Sequence, residues 1–131
     1  MNTANPWLVV AALSGLAAVA AGAYGAHGLE TDDRGRDLFA RGVQYHMWHT
    51  FALLAVAWFT DARKNTSGGT DAGRWAHRAG GLFAAGIVLF SGSLYGFGVT
   101  RELPFAGAAP AGGLALMAGW AVLAFAATRK G

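Results

Sequence analysis

The chain has 131 residues, of which 54% are hydrophobic and only 13% carry a charge. A soluble domain has about 25% charged residues, so about half of the usual solvating charge is missing. High hydrophobicity excludes an intrinsically disordered chain, and the absence of cysteine excludes disulfides and thiolate metal sites. The net charge of +3 does not indicate nucleic-acid binding, because the basic residues lie singly and form no cluster that could follow a phosphate backbone.

The 10 basic and 7 acidic residues leave four long stretches without any charge. A helix needs about 20 apolar residues to cross a bilayer, and each stretch is long enough for one crossing. The apolar character is continuous, whereas the strands of a β-barrel would alternate apolar and polar residues. The sequence therefore predicts an all-α, single-domain bundle of four transmembrane helices, with spans at about 7–26, 42–60, 79–99 and 110–128.

The charges between the spans predict the orientation of the bundle. Four spans place both termini on the same side of the membrane. That side carries six Lys and Arg residues, against four on the other side. Because Lys and Arg are more frequent in short cytoplasmic loops, we expect both termini to lie in the cytoplasm.

Small residues are frequent within the predicted spans. Lipid is as apolar as leucine, so membrane helices associate where small residues let their backbones approach closely. Two interpretations stay open, namely packing inside the bundle and contact with a second copy or another membrane protein. The small residues recur at Gly15, Ala18, Gly22 and Gly25 in the first span and at Gly92 and Gly96 in the third.

Polar residues are predicted to gather in the outer half of the bundle. His46 and His49 are three residues apart, so they share one face of the second span. Antiparallel spans bring polar residues of the other helices to a similar depth. A polar group within the membrane is costly unless it is paired or hydrated, so these residues should point into the bundle. The candidate polar pocket comprises His27, Gln44, His46, His49, Ser91, Ser93 and Tyr95.

The histidines permit two interpretations. Neutral imidazole binds zinc, copper and haem iron, so His49, His46 and His27 could hold a metal or haem. No Asp, Glu or Cys lies within the spans to complete such a site. We therefore favour hydrogen bonds that fix the packing of neighbouring helices, with no cofactor. No catalytic residue is predicted, because Ser91 and Ser93 lack an acid within the spans that could orient a histidine base.

Four short motifs give the chain a family resemblance. In chain order they are GAYGAHGL at 22–29, QYHMWHT at 44–50, LFSGSLY at 89–95, and PAGG at 110–113 followed by Gly119-Trp120. From about Val10 to Phe125 the chain resembles the domain-of-unknown-function 423 family, which includes transmembrane protein 256 of animals. One departure is Ala109, where family members often have Thr. The resemblance implies a small multi-pass membrane protein, in bacteria of the inner membrane, and implies no particular activity.

Together these features predict a multi-pass protein of the cell inner membrane without enzymatic activity. We expect a structural or regulatory component that contacts the lipid bilayer and a membrane-protein partner or a second copy. The alternative is a membrane protein that binds a ligand, a metal or haem in the outer polar pocket.

Overall fold

The computed structural model describes residues 3–65 and 69–129, and this part of the chain contains helices and no strand. The α-helices are α1 Pro6–His27, α2 Asp33–Ala62, α3 Gly69–Gly86, α4 Gly92–Thr100 and α5 Ala108–Thr128. A π-helical segment, Ile87–Ser91, joins α3 to α4 without a break. These three pieces form one continuous helix, here called the α3–α4 rod.

Side-chain caps explain where the first two helices begin. The Asn5 side chain accepts hydrogen bonds from the backbone N–H groups of Trp7 and Leu8. Pro6 occupies the first helical position, where its missing N–H costs nothing. The Asp32 carboxylate accepts a bond from the backbone N–H of Gly35 at 2.8 Å, which starts α2.

Helix α2 lies at the centre, with α1 on one side and the α3–α4 rod on the other, and α5 packs against the rod. At the end of α1 near the N-terminus, Asn5 Nδ2 donates to the carbonyl oxygen of Ala57 at 2.8 Å. At its other end, the Phe39 ring fills the space beside Gly25. The part of α2 that lies alongside α1 therefore runs from about Phe39 to Ala57. This is about one turn closer to the N-terminus than the predicted 42–60 span.

Within the described residues, three helices are long and apolar enough to cross a membrane, namely Pro6–His27, the rod over Asp71–Thr100, and α5. Helix α2 has 30 residues, but polar side chains such as Gln44, His46 and His49 lower its hydropathy. Two of these three, His46 and His49, are buried by neighbouring helices. A helix that its neighbours cover can carry more polar side chains than one that faces lipid on most sides.

Helix α5 approaches the rod closely at two glycines. A Cβ atom added at Gly112 would collide with the backbone of Leu89 and Phe90, in the π-helical segment. A Cβ at Gly119 would lie 2.7 Å from the ring of Phe83. The PAGG motif thus supplies a close backbone-to-backbone contact between two helices, as small residues do in membrane proteins.

Apolar packing and ion pairs complete the bundle. Leu53, Val56 and Phe83 are fully buried between α2 and the rod. At one end of the bundle, Arg101 Nη2 lies 2.7 Å from Asp32 Oδ2 and joins the end of α4 to the start of α2. At the other end, Arg129 Nε donates to Asp71 Oδ2 at 2.8 Å and joins α5 to α3. Both pairs are partly exposed, so each contributes little to stability.

Candidate functional site

The two histidines of α2 point to different neighbours. Both side chains are buried, at 7% exposure for His46 and 6% for His49. His46 contacts residues of α1 and α4, whereas His49 contacts a residue of α5. The three-residue spacing therefore divides the polar face of α2 between two separate sets of partners.

His46 is the centre of a hydrogen-bonded chain that crosses three helices. Its Nδ1 lies 2.8 Å from the Tyr95 hydroxyl of α4, and its Nε2 lies 3.1 Å from Ser14 Oγ of α1. Ser14 Oγ is 2.6 Å from Thr50 Oγ1. Thr50 in turn donates to the carbonyl oxygen of His46 at 3.0 Å. We call these four side chains the His46 network.

The positions of the protons in the His46 network follow from the number that each group carries. Thr50 gives its only hydroxyl proton to the backbone, so its oxygen accepts from Ser14. Ser14 has then used its proton and must accept from His46 Nε2–H. A neutral His46 consequently has a bare Nδ1, which accepts the proton of the Tyr95 hydroxyl. With His46 neutral, each proton has one place, and the ring is the Nε2–H tautomer.

His49 pairs with a tryptophan of α5. The indole Nε1–H of Trp120 donates to His49 Nε2 at 3.1 Å. Because indole nitrogen can only donate, this ring nitrogen of His49 is unprotonated. The proton of His49 is therefore on Nδ1, which donates to the carbonyl oxygen of Tyr45 at 2.7 Å. The neutral His49 is thus the Nδ1–H tautomer, the opposite of His46.

The two serines of the predicted pocket bond to backbone rather than to histidine. Ser91 Oγ donates to the carbonyl oxygen of Gly42 at 2.8 Å and so joins the rod to α2. Ser93 Oγ donates to the carbonyl oxygen of Leu89 in its own helix. Both side chains are buried, and their hydroxyl protons are used within the protein.

The His46 network, the pair of His49 and Trp120, and the two serines together form what we call the polar core. His27 and Gln44 lie apart from it. His27 is exposed in the last turn of α1, and Gln44 is exposed beside Asp37 and Arg41 on the outside of α2. Neither forms a hydrogen bond with His46 or His49 within the described residues. The seven predicted residues therefore do not form one pocket. Tyr95 joins His46, and His49 belongs to a different contact.

A metal would have to displace partners that the histidines already have. The described ranges, 3–65 and 69–129, contain no group of three His, Asp or Glu side chains placed to hold a metal ion. The bare nitrogen of His49 accepts from Trp120, and the bare nitrogen of His46 accepts from Tyr95. The arrangement thus fixes four helical pieces relative to one another.

Ser14, Thr50 and Trp120 belong to the site in the structure but not to the predicted pocket. Trp120 lies near the middle of the predicted fourth span, whereas indole rings favour the membrane interfaces. A tryptophan at such a depth needs an acceptor for its N–H, so its position was a signal. Ser14 gave a similar signal, because its hydroxyl interrupts an apolar span. Thr50 gave a weaker one, since it can bond to its own helix.

A groove opens beside the His46 network, between α1 and the α3–α4 rod, with α2 as its floor. Its volume is about 470 Å³. Most of its lining is apolar, and the polar groups are those of Ser14, His46 and Tyr95. At its rim, the side chains of Leu13 and Val88 are 61% and 71% exposed, so the groove opens sideways from the bundle.

Comparison with known proteins identifies the family. A family model described as a protein of unknown function (DUF423) matches residues 21–113, which is more than half of the chain. The chain belongs to the DUF423 family. The matched range contains His46, His49 and Tyr95, whereas Ser14 and Trp120 lie outside it. The DUF423 match thus includes the centre of the polar core and only some of its partners.

Relatives of this DUF423 chain are named as membrane proteins. The UPF0382 membrane protein YwdK of Bacillus subtilis is 39% identical over 125 residues, which cover 94% of this chain and 96% of the relative. The UPF0382 inner membrane protein YgdD of Escherichia coli K12 is 33% identical over 129 residues, covering 97% and 92%. No solved structure matches the chain. Since the part of the chain that the structure describes has three helices able to cross a membrane, the chain is a multi-pass inner-membrane protein.

Proposed function

We propose that this DUF423 chain is a non-enzymatic, cofactor-free protein of four transmembrane helices, a structural or regulatory component that binds other membrane molecules. The observation that carries the proposal is that both buried histidines are saturated by partners within the chain. A general base or a metal ligand needs a nitrogen lone pair that faces its substrate or ion. In this polar core the lone pairs face Tyr95 and Trp120.

The position of α2 supports four crossings. It is antiparallel to α1, since Asn5 lies beside Ala57 and Gly25 lies beside Phe39. Alongside the apolar α1 it therefore extends over the full length of a membrane-spanning helix. The excess of Lys and Arg on the side of the termini supports their cytoplasmic location.

The surface of α1 supports a role in binding. Of its 22 residues only Ala11 and Ala18 are buried. Leu13, Leu16 and Val19 are each more than 60% exposed. Exposed apolar surface of this extent is covered in a membrane by lipid or by another protein. The chain thus offers contact area rather than reactive groups.

An absorption spectrum with elemental analysis, on protein purified in mild detergent, tests the proposal. We expect no Soret band and no stoichiometric metal in the natural chain. His49→Ala should lower the stability of the fold without removing any ligand, and His27→Ala, at an exposed position, is the matched control. A Soret band or one metal per chain that is lost in His49→Ala would overturn the proposal.

A further inference from the structure

The groove beside the His46 network is about half as long as the hydrocarbon core of a bilayer is thick. Its wall on the rod runs from Ala84 to Tyr95, which is about 16 Å at 1.5 Å per residue. The hydrocarbon core of a bilayer is about 30 Å thick, so half of it is about 15 Å. Tyr95 lies at the end of the groove farther from the N-terminus, whereas Val10, Leu53 and Ala84 lie at the end nearer to it, so the groove crosses the middle of the bundle.

The polar groups that line this groove offer hydrogen-bond acceptors and no free donor. Tyr95 gives its hydroxyl proton to His46, and Ser14 gives its proton to Thr50. The oxygens of Tyr95 and Ser14 keep lone pairs, and both side chains are only partly buried. If Tyr95 instead donated to a ligand, His46 would change tautomer and Ser14 would give its proton to the ring. The 2.6 Å bond between Ser14 and Thr50 would then have no proton.

Two features of the rod keep the groove open. A Cβ added at Gly92 would meet no atom within 4 Å, so packing inside the chain does not require glycine there. Glycine within a helix costs about 1 kcal/mol relative to alanine. The wall also includes Ile87 and Val88 of the π-helical segment, and π-helical turns occur frequently at functional sites.

From this geometry we propose that the groove binds a membrane lipid that carries a free hydroxyl group, such as a diacylglycerol or a long-chain alcohol. The hydroxyl donates to the oxygen of Tyr95 or Ser14, and the alkyl chain lies along the groove between Leu13 and Val88. This inference rests on the proposed function, which places α2 and the groove beside it within the membrane. The recognition itself depends only on the groove.

Photolabelling of the purified full chain in detergent tests this inference. The probes are hexadecanol with a diazirine in its chain and the methyl ether of the same molecule, which cannot donate a hydrogen bond. One hydrogen bond contributes about 1 kcal/mol, so we expect the alcohol to label peptides around Leu13 and Val88 about fivefold more than the ether. Equal labelling by the two probes would overturn the inference.

Substitution of glycines at which an added Cβ meets no other atom tests whether the probe binds in the groove. Gly92→Leu places a side chain in the groove, and we expect it to reduce labelling by the alcohol about fivefold or more. Gly81→Leu is the matched control, because Gly81 is also open but does not line the groove. Unchanged labelling in Gly92→Leu, or labelling that is lost when two copies cross-link through this face, would overturn the inference. Detergent samples have no leaflets, so a wrong topology would leave these results unchanged.

Discussion

His49 and Trp120 show how one hydrogen bond can decide the role of a residue. A neutral histidine with a bare nitrogen is a ligand or a base only when that nitrogen faces a substrate or an ion. In this bundle the unprotonated Nε2 of His49 accepts a hydrogen bond from the indole Nε1–H of Trp120 at 3.1 Å. The aromatic rings add packing, since Trp120 meets Phe83 edge-on with centroids 5.1 Å apart. The pair therefore acts as a contact between α2 and α5.

Removing the indole N–H should weaken the bundle. Trp120→Phe keeps an aromatic ring and leaves His49 Nε2 without a donor, which should lower the free energy of unfolding by about 1 kcal/mol. Titration with a denaturing detergent, followed by circular dichroism, measures this change. Trp58→Phe is the matched control, because Trp58 is 72% exposed. Equal stabilities of the two variants would show that the indole N–H of Trp120 contributes nothing.

The helices, and part of the polar core, were predictable from the sequence. Each predicted span lies inside a helix, because the stretches without charge are long and end at charged or turn residues. The π-helical segment was not predictable, since Ile87–Ser91 has the same apolar composition as an ordinary helix. The alignment of α2 with α1 depends on Asn5 and on the Phe39 ring beside Gly25. These are contacts between distant residues, which leave no periodic pattern.

The same limit applies to the seven predicted site residues. The prediction grouped His46, His49 and Tyr95 by helical spacing and by depth in the membrane, and in the structure His46 contacts Tyr95 whereas His49 contacts Trp120. The depth of a residue in the membrane does not show in which direction its side chain points around the helix axis. It therefore could not show that Gln44 points outward or that the serines bond to backbone.

At the scale of the elements, the adjacent glycines Gly112 and Gly113 differ in how closely they approach the rod, and only Gly112 contacts its backbone. Gly112→Ala would drive a methyl group into the backbone of Leu89 and Phe90, which cannot move aside without distorting the π-helical segment. Overpacking of this kind costs about 1–3 kcal/mol or more. We expect Gly112→Ala to be strongly destabilised or to fail to accumulate in membranes.

The neighbouring glycine provides the control. A Cβ at Gly113 would lie 3.8 Å from the Phe90 ring, an ordinary contact. Gly113→Ala should therefore be neutral or stabilising by up to about 1 kcal/mol, since alanine favours helix. The unfolding free energies of both variants in detergent give the comparison. Similar losses at the two positions would contradict the close contact at Gly112.

At the scale of the whole molecule, α2 is the central helix: α1 and the rod pack against it, and α5 packs against the rod. Helix α2 carries the polar contacts to α1, α4 and α5, and it is the least hydrophobic of the long helices. Its crossing of the membrane determines whether the bundle has both termini on one side. The natural chain contains no cysteine, so single cysteines can report the location of each end of α2.

Glu30→Cys and Asn65→Cys provide this test, because both residues are exposed and lie beyond opposite ends of α2. With four crossings and cytoplasmic termini, a membrane-impermeant maleimide should label the cysteine at position 30 in intact cells. The cysteine at position 65 should react only after the cells are lysed. Labelling of both positions in intact cells, or of neither, would contradict a crossing by α2.

The central claim is that the imidazoles of the polar core are neutral and saturated within the chain. Side-chain ¹⁵N NMR of histidine-labelled protein in detergent tests it most directly, with the exposed histidines removed as His27→Gln and His77→Gln. We expect two neutral rings of opposite tautomer, Nε2–H for His46 and Nδ1–H for His49. An imidazolium signal, a metal-shifted nitrogen, or the same tautomer at both positions would contradict it.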